Sequence, residues 1–115
     1  MEELNDVKRL FERIFKTYER FEKTGDFEIF RQLSNQLEEL SSNLSSIVLV
    51  AEVEKTGSKT IIDFINKVSS EINEVILWIK LGEKGKEREV LEVLLEESML
   101  PLLLKKLKLL HTLIF

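Results

Sequence analysis

Cysteine is absent from this 115-residue sequence; there is one proline, Pro101, one histidine, His111, and four glycines. Without thiols there is no disulfide framework, no thiolate nucleophile and no Cys-ligated zinc site. A single histidine cannot supply the two Glu-x-x-His pairs of a ferritin-like di-metal bundle. The glycines fall at turns and no Walker-type run surrounds them, so a phosphate cradle lacks its motif. Long uncharged apolar runs are missing too. The greasiest stretch, Met99 to Phe115, carries Lys105, Lys106 and Lys108 in its middle, which excludes a spanning helix. Met1-Glu2-Glu3 places acid where a signal peptide needs base. The expectation is an intracellular, cytoplasmic protein with no cofactor, no metal and no transmembrane segment.

What the sequence does contain is apolar residues at helical spacing. At 43% hydrophobic and 33% charged it can build a packed core, and its length suits one domain spanning 1–115. Seventeen basic against twenty-one acidic residues leave a net charge of −4, so the overall charge does not recruit nucleic acid.

Leu4, Val7, Phe11, Ile14, Tyr18 and Phe21 recur in steps of three and four, with Leu10 and Phe15 widening the stripe. That predicts an amphipathic helix over about 2–23, stopped by Gly25. Asp26 then caps a second helix with a heptad seam of Phe30, Leu33, Leu37, Leu40, Leu44, Ile47 and Ala51. Its Ser- and Asn-rich remainder has poor helix propensity, so packing must hold it. Apolar residues broaden from Ile47 to Val50, as if that end were surrounded by protein. After a Thr56-Gly57-Ser58 turn, Ile61, Ile65, Val68, Ile72, Val75 and Ile79 predict a third helix starting near Ser58 or Thr60, with Thr60 and Asp63 spaced like a capping box. A fourth runs from about Lys86 to Ser98. Pro101 then kinks it, or sits in the first turn of a fifth piece capped by Ser98. The fold expected is an all-α antiparallel bundle of four long helices, the last kinked or split at Pro101.

Catalytic patterns found on helical bundles fit poorly. Glu38 and Glu39 begin the Glu-Glu-x-x-Glu of all-α nucleotide pyrophosphohydrolases, but the third position is Ser42, and Glu71 with Glu74 stands where Glu-x-x-Asp is needed. HEPN-type ribonucleases need Arg four to six residues before His; His111 has only Lys105 and Lys106, without the planar guanidinium fork. The run from Thr60 through Ser69-Ser70-Glu71 to Lys80 scans like a helix-turn-helix. Its would-be reading helix offers only Asn73, Glu74 and Lys80 among branched hydrocarbons. No enzyme is expected.

The last segment is the anomaly. On a helical wheel Lys105, Lys108 and Thr112 share one arc, with Leu103, Leu107, Leu110 and Ile114 opposite. Leu102, Leu109 and Leu113 fill one flank; Leu104 and Phe115 fill the other. A helix so apolar around its circumference wants protein on more than one side. Phe64 and Trp78 lie off the main seam of the third helix and point the same way. The expected function is therefore a non-enzymatic interaction or assembly subunit, a homo-oligomer or a partner of another protein. Phe64, Trp78, Leu103, Leu107, Leu110 and Ile114 are the expected contact residues. The alternative is a small nucleic-acid-associated regulator using the local basic patch of Lys84, Lys86 and Arg88.

Overall fold

A computed structural model describes residues 2–55 and 57–115; the side chains of 2–4, 53 and 83 fall outside that description, as does Thr56 of the predicted turn. Five helices pack together: α1 (Glu2–Thr24), α2 (Phe27–Glu54), α3 (Lys59–Leu81), α4 (Glu87–Leu91) and α5 (Met99–Ile114). No strand occurs among the described residues. The long dimension of 44 Å is close to the length of α2 alone, since 28 residues at 1.5 Å per residue span about 42 Å.

Local chemistry sets the first two boundaries. Gly25 adopts φ 66°, a left-handed conformation that a side chain resists, and its N–H donates to Phe21 O at 2.7 Å to close α1. One residue later the Asp26 carboxylate accepts from Glu28 N at 3.0 Å and starts α2. Val7, Leu10, Phe11, Ile14 and Phe21 bury the predicted stripe of α1; the Leu4 side chain lies outside the described residues. Phe21 stacks on Phe30 at 4.0 Å between ring centroids and fixes the hairpin.

The heptad seam of α2 holds from Phe30 to Leu44 and then drifts. A straight helix rotates about 20° per heptad away from a strict seven-residue repeat. Accordingly Val48 is buried near the end, while Ile47 and Ala51 are only half-buried. Leu49 and Val50 face solvent, so the end of α2 is not enclosed as its apolar run suggested. Ser41 Oγ donates to Asn73 at 3.2 Å, and Lys80 Nζ lies 2.7 Å from Glu38 Oε1. A lower position on α2 thus meets a higher one on α3, and the two helices run antiparallel.

α3 begins at the earlier of the two starts expected, and the capping box does not form. Its N-cap is Ser58, whose side chain makes no capping bond, and Thr60 and Asp63 lie inside the helix. The helix begins earlier because the Ser58 carbonyl already accepts from Ile62 N at 3.0 Å. The region around Pro101 resolves in favour of a split. Glu97 N reaches back to Glu92 O at 3.0 Å in a widened turn over Glu92–Glu96, and Ser98 takes a left-handed φ of 63°. The break therefore falls three residues before the proline. A continuous helix would drive the Pro101 ring into the carbonyl four residues earlier, that of Glu97. Restarting at Met99 puts Pro101 in the first turn, where its missing N–H is one that no helix satisfies. α5 then runs sixteen residues, its first internal bond being Leu102 N to Ser98 O at 3.0 Å.

The core joins all these elements. Ile65, Val68, Ile72, Val75, Ile76 and Ile79 from α3 meet Val90, Leu94, Leu100, Leu103, Leu104, Leu107 and Leu110 from the C-terminal third. α2 packs along both α1 and α3, and α5 packs on α3 and touches α1.

Candidate functional site

α5 is the element whose surface needs explaining, and it is held from two sides. Toward α3, Lys106 Nζ donates to Glu71 Oε1 at 2.6 Å, with both side chains about one-third exposed. Toward α1, the His111 ring lies 5.6 Å from Phe11 and 6.2 Å from Phe15, and Phe115 stands 6.1 Å from Phe11. Lys108 Nζ sits 5.7 Å from the Phe15 ring centroid, close enough for a cation–π attraction. Thr112 ends the polar arc by donating to its own helix, at Lys108 O, 3.0 Å.

These contacts bury one face of α5 completely. Leu103, Leu107 and Leu110 lie in the chain's own core, and Ile114 is half-buried against it. The sequence reading offered these four to a partner. In the fold Leu103, Leu107 and Leu110 pack inside the chain's own core, while Ile114 keeps part of its surface outside. Phe64 and Trp78 are also half-buried against the core, on the side of α3 that carries Glu71 toward α5.

What remains outside is the flank. Leu102, Leu109 and Leu113 are 51%, 52% and 50% exposed. Separations of seven and four residues place them within about 40° of one another on the helix, so they form one line. Lys106 is the polar position on that line, and its charge is already matched by Glu71. Lys105 and Lys108, both exposed, run along one edge. Leu49, Val50 and Leu77 are exposed as well, but Leu49 and Val50 sit at the end of α2 and Leu77 alone on α3. Among the described residues only α5 carries three aligned exposed leucines. The wheel already showed this flank. It could not show that α1 and α3 grip the helix off-centre, leaving the leucines in solvent beside Lys105 and Lys108.

Glu38 and Glu71 each engage a lysine on another helix, Lys80 and Lys106 respectively. Among the described residues no group of three or more His, Asp or Glu side chains is placed to hold a metal. Lys106 turns to α3 while His111 turns to α1, so they do not form a phosphate-gripping pair. The His111 Nε2 is buried without a hydrogen-bond partner, walled by rings. α3 runs without a break from Lys59 to Leu81, which removes the helix-turn-helix reading of that stretch. Lys84, Lys86 and Arg88 are exposed but alternate with exposed Glu87 and Glu89. No helix among the described residues is long and apolar enough to cross a membrane. Compared with known proteins, the chain matches no family model, no curated protein and no solved structure.

Proposed function

We propose that this protein is a non-enzymatic assembly subunit that pairs with a second copy of itself through the outer line of α5. The observation that carries the reading is the row of half-exposed Leu102, Leu109 and Leu113 beside the charge-matched Lys106. Aligned leucines on a helix that is already anchored behind are a contact surface with little left to order on binding. The same arrangement supports an antiparallel four-helix reading of the fold. α1, α2, α3 and α5 close a ring of neighbours, and α4 is a short insertion between the third and fourth members. Phe11 reaches Phe115 while Phe15 reaches back to Lys108, as opposed helix directions require.

Magnitudes make the pairing reversible. Burying the exposed half of one leucine is worth about 1 kcal/mol, so six across a two-fold contact give roughly 6 kcal/mol. Association itself costs an estimated 4–15 kcal/mol. The leucines alone leave at most about 2 kcal/mol after that cost, so the line is a nucleus that needs its rim and the dimer it makes is weak. Sedimentation equilibrium from about 10 to 500 µM tests this. The expected result is a mass rising toward twice that of the chain, and a monomer throughout for a Leu109→Asp, Leu113→Asp variant that keeps its helical circular dichroism. A wild-type chain that stays monomeric across the range refutes the proposal. The nucleic-acid alternative has less support, because each basic side chain of its patch has an acidic neighbour in sequence. Salt-sensitive binding to a random oligonucleotide would revive it.

A further inference from the structure

We draw no further inference here: the strongest candidate, the shallow open cleft of about 360 Å³ where Lys55 and Lys59 flank the uncapped N-terminus of α3, is lined equally by Glu52 and Asp63, and nothing else in the structure points to a ligand there.

Discussion

Replacing Gly82 by alanine sets two effects of opposite sign against each other. Gly82 has ordinary helical dihedrals, φ −61° and ψ −38°, at the end of α3. In such backbone alanine is favoured over glycine by about 1 kcal/mol. The added methyl, however, would stand 2.3 Å from Phe27 Cζ and 3.2 Å from both Cε atoms, head-on to the ring. Ordinary carbon contacts lie near 3.5–4.0 Å, so the ring must retreat by more than 1 Å. Phe27 packs edge-to-face on Phe30 at 5.4 Å, which resists that retreat. Overpacking of this kind costs about 1–3 kcal/mol. Taking the upper part of that range, the net is a loss of about 1–2 kcal/mol, or roughly 4–8 °C in melting temperature. Urea unfolding followed by circular dichroism measures it as a lower midpoint at constant slope. In a Phe27→Ala background the ring is gone, and the same Gly82→Ala change should stabilise by about 1 kcal/mol. A stabilising effect in the wild-type background, or the same effect in both, refutes the reasoning.

Three further outcomes follow from the geometry. Leu107→Ala, in the core, should cost about 2–5 kcal/mol, whereas Leu109→Ala, two residues along the same helix, should change monomer stability by less than about 0.5 kcal/mol; equal losses in denaturant titrations would mean that α5 is rotated from the orientation described. Lys55 closes α2 in a left-handed conformation at φ 54°, so Lys55→Gly should raise stability by about 0.5–1 kcal/mol, and a lowered urea midpoint would count against that cap. Tyr18 is the single tyrosine, and burial, reinforced by the charge of Glu22, raises its phenol above the ordinary value of 10.0. The proton is held more tightly folded than unfolded, so this contribution is complete below pH 10.0 and fades as pH climbs through the folded value. Absorbance at about 295 nm should report a midpoint above that of a free tyrosine amide, displaced downward in Glu22→Gln; a midpoint at or below the free value would contradict the burial.

The existence and nature of the elements were legible because they depend on neighbours three and four residues away. Asp26 and Gly25 act within one turn of chain, and the caps they make needed no tertiary information. The seam of α3 from Ile61 to Ile79 was equally readable, since only a helix puts those side chains on one face. Pro101 announced a break, but the position of that break at Ser98 came from where its ring would strike, one turn earlier in the chain.

Periodicity fixes which residues share a side of α5, but not which side the rest of the molecule covers. Leu103, Leu107 and Leu110 looked like a surface to offer because nothing in the chain states that α1 and α3 close over them. The grip of Glu71 on Lys106 and of the Phe11–His111–Phe115 rings on the helix end turns α5 so that Leu102, Leu109 and Leu113 are left outside. The choice is between leucine lines about 100° apart on the helix. It is set by long-range packing, where many apolar contacts of similar strength compete, and so only the folded chain decides it.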